Sequence, residues 1–384
     1  MRLACLLGAL ILACSGWDDE AGAPRTVGVP DRGGVAEEPE PSGGIPRPEA
    51  EQGAPAPTSE TDHEPSQATA THGPEPRPRD EALPSLDEIL RMDGSTSRSV
   101  RGPNDGALEG GVPLPLRGPG FRFNPRRDPR ARYGTIEVVR QLVAAAAVVH
   151  QELPGGQLTI NDLSLPQGGP IPHHGSHQSG RDADVLFYLI GPNGEPHPSV
   201  GAPLDPQGRG TDYGDLADPN DDVPLRIDLP RTWRFLQALI EGSGDDEAPL
   251  QRVFVAEHLR TLLVDYAQAS GAPAATRARF AMITCQPSYP HDDHLHLRWF
   301  CSPDDLAAGC EDTPPHYPWR RRALEALGLE LRRHRPRPDR PRAPITTSAQ
   351  ARAAAGPMHP EVRRFLRRRR AWMDPPHPGR PFCR

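Results

Sequence analysis

His294–Trp299 reads HLHLRW, and the way this hexapeptide is read decides the fold. Side chains alternate across a strand, so His294, His296 and Arg298 share one face while Leu295, Leu297 and Trp299 share the other. Such a strand turns histidines toward a site and leucines toward a core. The same period marks DADVLFYLI, from Asp182 to Ile190, where Asp182 and Asp184 fall together and Val185 and Phe187 point away. QLTINDLSL (157–165) and RVFVA (252–256) are further strand candidates, short and rich in branched residues. Between them lie helical stretches. Thr135–Leu153 has helical composition throughout and stops at Gly155 and Gly156. A second helix begins after Asp228, a suitable N-cap, with Pro230 in its first turn and Trp233, Phe235, Leu236 and Leu239 as its apolar face. Ala256–Gln268 and Trp319–Arg333 read as two more. Helices and short strands without regular alternation predict an α+β fold, a mainly antiparallel sheet flanked by helices, over residues 96–335.

Outside that span the composition changes. The chain of 384 residues holds 49 prolines and 37 glycines, unevenly spread. Residues 1–14 place Arg2 before an apolar run from Leu3 to Ala13 and end in Ile11, Leu12, Ala13, Cys14, a lipoprotein-type signal with Cys14 as the lipidated residue. No other apolar run approaches membrane-spanning length. Residues 15–95 are expected to form a long disordered N-terminal tether, mostly Pro, Glu, Gly, Ala and Thr, too poor in branched apolar and aromatic residues to offset the entropy of ordering. A flexible chain of its length reaches about 50 Å. The net charge of -7 hides an acidic tether and an arginine-rich extension, 336–384, that suits anionic cell-wall polymer or lipid. The protein is expected to be exported, periplasmic and lipid-anchored to a membrane facing the wall, with no nucleic-acid partner. Cys285, Cys301, Cys310 and Cys383 allow three pairings in that oxidising compartment, and Cys301 with Cys310 is the preferred bridge because it closes a short loop. No CxxC pair offers them as zinc ligands.

Two clusters carry the chemistry: HHGSHQSGRDADV (173–185) and PHDDHLHLRW (290–299). Histidine beside proline and glycine is often plain exposed loop, and aspartate pairs are usually solvated. Here, however, a loop-then-strand pair, His177 and Asp184, is joined by a downstream HxH on an alternating strand. Together they supply a His, Asp, His set with an open fourth position, the arrangement of catalytic zinc.

With HGSHQSGRDADV preceded by LPQGG, HDDHLHLR followed by a cysteine pair, and the upstream stretches RGPNDGALEGGVPLPLRGPGF and RYGTIEVVRQL, the chain resembles the penicillin-insensitive murein endopeptidases over 96–312. These are zinc metallopeptidases related to lysostaphin, D-Ala-D-Ala carboxypeptidase and hedgehog domains. The resemblance implies that His177, Asp184 and His296 hold Zn2+, with His174 a neighbouring metal-site histidine, His291 and His294 as the catalytic pair, and Asp182 orienting a ligand. Some relatives add an aspartate and a histidine for another metal; ADPNDDVP offers Asp221 and Asp222 but no histidine. Bound zinc lowers the pKa of water from roughly 15.7 to about 7. His294, on the strand face of His296, is expected to act as base and then acid, and His291 to polarise the carbonyl. The implied activity is hydrolysis of peptide cross-links of peptidoglycan. A D-Ala carboxypeptidase would use nearly the same residues. A non-catalytic, zinc-stabilised wall-binding lipoprotein would need neither His291 nor His294. The arginine-rich end is expected to aid wall binding and to be dispensable for chemistry.

Overall fold

His294–Trp299 is a strand, and it lies inside a seven-stranded sheet, beside the central strand Asp182–Leu186. The computed structural model describes residues 85–244, 247–287, 289, 291–337, 339, 348–373 and 383; the signal-type start, Cys14 and the tether up to 84 lie outside them. The last part of the expected tether is folded: Leu86–Arg91 is a helix capped by Ser85, and its Ile89 is buried in the main core. The sheet comprises β1 (Arg117–Gly118), β2 (Phe121–Phe123), β3 (Leu158–Ile160), β4 (Asp182–Leu186), β5 (Leu250–Phe254), β6 (Thr284–Cys285) and β7 (His294–Trp299). Side by side they run β6-β5-β7-β4-β3-β2-β1. The pairs β5–β6 and β2–β3 are parallel and the other four antiparallel, so the fold is α+β with a mainly antiparallel sheet. DADVLFYLI breaks after Leu186: its end, Leu189–Ile190, belongs to a second, four-stranded antiparallel sheet with Pro196–His197, Arg209–Asp212 and Val223–Ile227.

The odd-numbered face of the central pair makes the core. Ala183, Val185, Leu295, Leu297 and Trp299 are buried among the residues of α1 (Ile136–Glu152) and α2 (Leu229–Gly242). Helix α1 buries Ile136, Val139, Leu142, Val143, Ala146 and Val149, a stripe at helical spacing. Its first free amide, Ile136 N, donates to Ser97 Oγ at 2.8 Å instead of to a local cap. Helix α2 begins as its sequence dictates: Asp228 accepts from Arg231 N at 3.1 Å, and Pro230 occupies the first turn. Each fully buried apolar side chain of this kind contributes about 1.5–3 kcal/mol of transfer free energy. Ala256 is the cap of α3 (Glu257–Ala269).

The helix expected over Trp319–Arg333 spans Pro318–Ala326 only. Gly328 takes a left-handed φ of 69°, which ends the helix, and Arg333 then bridges to Asp312. Ala274–Ile283 is a helix that composition did not single out. Cys301 bonds to Cys310 as preferred, which leaves Cys285 bonded to Cys383. Among the described residues no helix is long and apolar enough to cross a membrane.

The arginine-rich end, expected as a charged extension, also carries folded structure. Arg337 reaches Asp105 and Glu311, both at 2.9 Å, and two helices follow, α4 (Ser348–Ala355) and α5 (Pro360–Met373). Ala351, Ala355, Val362 and Phe365 form a small apolar cluster with Tyr213 and Leu216. Arginine dominates the composition of α5, but Val362, Phe365, Leu366 and Arg369 fall on one inward stripe at helical spacing.

Glu137, in the first turn of α1, gives a stability test. Burial, reinforced by Asp305, pushes its carboxyl up to about 7. An acid whose folded value exceeds its unfolded one favours folding most below the unfolded value, and that contribution is lost as pH rises through the folded value. Glu137→Gln should therefore match the unmutated protein near pH 4.5 and exceed it near pH 8, by at most roughly 3 kcal/mol. Thermal unfolding of both proteins at the two pH values checks this; equal melting temperatures at pH 8 would show that the carboxylate is not strained.

Candidate metal centre

The register of β4 against β7 sets His296 opposite Asp184 and Arg298 opposite Asp182, so the even-numbered face of both strands is buried and, Leu186 apart, polar. Asp182 organises it. Its Oδ1 accepts from Arg298 Nε at 2.7 Å and lies 3.2 Å from His296 Nε2, and its Oδ2 accepts from the backbone N of His177 at 3.1 Å. Burial would raise this carboxyl, yet Arg298 and His296 hold it well below the usual carboxylate range. Engaging His296 through Nε2 leaves Nδ1 turned to Asp184 Oδ1, 3.4 Å away.

The loop before β4 delivers the other histidines. His177 holds a φ of 67°, uncommon for a residue with a side chain, and its backbone N–H donates a hydrogen bond to Asp182 that holds it there. Its Nδ1 lies 2.7 Å from the Leu163 carbonyl oxygen and donates to it, so Nε2 presents a lone pair to Asp184 Oδ1 at 3.3 Å. His174 Nδ1 lies 3.6 Å from Asp184 Oδ2, and its Nε2 lies 3.1 Å from Asp162 Oδ2. Asp162 in turn faces Arg127 at 3.4 Å.

Whether these residues suit a metal is decided by what they lack. His177 Nε2, Asp184 Oδ1 and Asp184 Oδ2 are all buried without a hydrogen-bond partner. A lone pair set against a carboxylate in a dry interior is repulsive unless a proton or a cation stands between them. The ligand atoms of His174, His177 and Asp184 lie within 4.8 Å of one another, the one such trio among the described residues. Imidazole nitrogen with carboxylate oxygen is a donor set that suits zinc. His296, expected among the ligands, adjoins the trio, its ring 4.7 Å from that of His177.

The catalytic candidates stand beside this centre. His294 Nδ1 lies 2.8 Å from Asp293 Oδ1, and its Nε2 lies 3.5 Å from Asp184 Oδ1. Burial would lower its pKa, but Asp293 and Asp184 outweigh that and carry it up to about 9. His291 is the opposite case: burial and the neighbouring His294 and His296 hold it well below the ordinary histidine value. Its Nδ1 donates to the Tyr289 carbonyl oxygen at 2.7 Å, which leaves Nε2 as an acceptor. The two rings are 4.7 Å apart. Neighbouring groups pushed in opposite directions are the arrangement an acid and a base require.

All six sequence-expected residues, His174, His177, Asp184, His291, His294 and His296, thus meet at one place. Asp162 and Asp293 were not foreseen, although Asp162 lies in the recognised strand segment QLTINDLSL and Asp293 directly precedes His294. Asp221 and Asp222 stand apart from this trio; His359, from the arginine-rich end, comes within 3.3 Å of Asp222.

Comparison with known proteins gives a concordant result. The family described as penicillin-insensitive murein endopeptidase matches residues 99–321. Proteins of that name from Yersinia pestis and Klebsiella pneumoniae are each 26% identical to this chain, over 234 and 243 residues. The alignments cover 59% and 60% of this chain and 75% and 76% of those proteins. The protein of the same name from Pectobacterium atrosepticum is 24% identical over 238 residues, covering 59% of this chain and 73% of its own length.

Proposed function

The chain belongs to the penicillin-insensitive murein endopeptidase family, and on that premise we propose that it is a zinc-dependent endopeptidase that hydrolyses peptide cross-links of peptidoglycan. The observation that carries the zinc reading is the buried convergence of His177 Nε2 with both oxygens of Asp184, none of them hydrogen-bonded. His177, Asp184 and His296 would hold the ion, with His174 beside them. Bound there, zinc supplies Lewis acidity, polarising a carbonyl and easing deprotonation of water near neutral pH.

The protein's own groups supply the proton transfers. Attack on an amide requires a base for the water and an acid for the leaving amine. Strand position alone favours His294 for both tasks. The hydrogen bonds favour a division of labour: His291, with Nδ1 engaged by Tyr289, offers its Nε2 lone pair to the water. His294, backed by Asp293, is held as an imidazolium that donates from Nε2 to the developing oxyanion or the departing amine. Asp182 holds His296 and Arg298 in place, and Asp162 holds His174.

Incubating the purified protein, zinc-loaded and chelator-treated, with cross-linked muropeptide dimers and weighing the products tests this reading. Conversion of dimers to monomers by the zinc-loaded form alone is expected. Release of free D-alanine with the dimer intact would make it a carboxypeptidase, and binding without turnover would make it a wall-binding module.

A wall substrate fits the export signal, and we read Cys14 as the lipid attachment site of a periplasmic protein tethered by the residues between Cys14 and Ser85. Cys14→Ser should then move the protein from the membrane fraction to the soluble fraction, since several acyl chains anchor stably where one does not. An unmutated mature protein that is wholly soluble, with an unmodified N-terminus beyond Cys14, would end the lipid reading.

A further inference from the structure

Asp292 lies between His291 and the Asp293–His294 pair, and its carboxylate is fully buried. It touches none of the metal-centre groups; it faces α5. Arg369 Nη2 donates to Oδ1 at 2.6 Å and Arg369 Nε to Oδ2 at 3.0 Å, a two-point clamp, and Trp372 Nε1 donates to Oδ2 at 3.0 Å. Arg369 Nη2 also donates to the Tyr289 hydroxyl at 2.9 Å. Arg369 is itself buried, so its charge and that of Asp292 answer each other where water cannot.

These contacts bear on His291 from both sides. Tyr289 fixes the His291 ring through its carbonyl, and Asp292 follows His291 directly in the chain. His291 holds a φ of 54°, the left-handed region that a residue with a side chain enters only when its surroundings compel it. A disulfide from Cys285 to Cys383, with Cys383 N donating to Gln286 O at 3.0 Å, ties the chain beyond α5 to the strand just before this loop. The family match ends at residue 321, so the clamp comes from sequence this chain carries outside it.

We propose that α5 is a positioning element of the active site: Arg369, with Trp372, holds Asp292 and Tyr289 so that His291 keeps the strained backbone that aims it at the reacting centre. This rests on the reading of His291 as a catalytic group. The test uses the full disulfide-bonded chain and the variants Arg369→Ala, Arg369→Lys and Trp372→Phe, with Arg364→Ala, on the exposed side of α5, as control. Four quantities are read: kcat and KM on muropeptide dimers, zinc content, melting temperature, and hydrogen exchange of the amides of Tyr289 and of residues 291–293. Arg369→Ala should lower kcat by roughly 10- to 100-fold, the scale of a misplacement of about 1 Å, with KM within about twofold and zinc retained. Exchange should quicken in that loop and not in β4 or β7. Arg369→Lys should recover part of the loss, Trp372→Phe should lose a few-fold in kcat, and Arg364→Ala should lose nothing.

Unchanged kcat and unchanged loop exchange in Arg369→Ala would overturn the proposal. So would a loss of kcat that merely follows loss of zinc and of melting temperature, with no recovery by lysine, since that is the mark of a purely structural contact. If Arg369→Ala does not fold, Trp372→Phe and Arg369→Lys decide by the same criteria. If the unmutated protein cleaves no muropeptide, the proposed function fails, while the exchange comparison still decides whether α5 holds the loop.

Discussion

Asp184→Ala should abolish both zinc binding and turnover, while His150→Ala, on the exposed side of α1, should change neither. Asp184 is the common point of the centre: His174, His177, His294 and His296 each bring a ring nitrogen to between 3.3 and 3.6 Å of one of its oxygens. Removing the carboxylate takes away the anionic oxygens on which the four histidines converge and with them the charge that draws the cation in. The change is read without reference to activity. A ligand that binds only the folded state stabilises it by RT ln(1 + [L]/Kd), about 4 kcal/mol at a thousandfold excess over Kd. Zinc should therefore raise the melting temperature of the unmutated protein by several degrees and leave that of Asp184→Ala unmoved. An Asp184→Ala protein that still carries one zinc per chain would place the metal elsewhere and remove the basis for the mechanism.

What the sequence made legible, and what it hid, divides by the range of the interactions. The alternation in HLHLRW is written in six consecutive side chains, and the structure realises it residue for residue, with Leu295 and Leu297 in the core and His294 and His296 on the opposite face. The loop-then-strand spacing of His177 and Asp184 is local in the same sense. Cys301 and Cys310 are 9 residues apart, and their pairing could be preferred on loop length alone. Asp292 and Arg369 are 77 residues apart, and nothing in either neighbourhood announces the other. Helix α5 was obscured by its own composition: its many arginines read as a basic extension for anionic wall polymer or lipid, whereas Arg369 is turned inward with Val362 and Phe365. The helix over Trp319–Arg333 was drawn too long because a helical composition persists past Gly328, where the backbone turns left-handed. Tautomers are not legible in sequence either: that His291 keeps its Nε2 free depends on the carbonyl of Tyr289.

His294→Ala and His291→Ala should each keep zinc near one per chain and lose turnover by roughly a hundred- to ten-thousandfold, the usual contribution of a positioned acid or base. The outcome separates catalysis from binding because neither residue is needed to hold the ion, whereas a neighbour two positions along the same strand is: His296→Ala should lose zinc, turnover and stability together. The division of labour proposed above adds a finer expectation. If Asp293 holds His294 as the proton donor, Asp293→Asn should weaken the donor without removing it, so its kcat should fall between those of the unmutated protein and His294→Ala. Zinc analysis and muropeptide turnover on the same preparations compare all four variants with the unmutated protein. Full turnover in His294→Ala would refute the mechanism. Full turnover in Asp293→Asn alongside a crippled His294→Ala would keep His294 as a catalytic group and return it to the simpler part expected from its place on the strand, base first and acid second, with no carboxylate needed behind it.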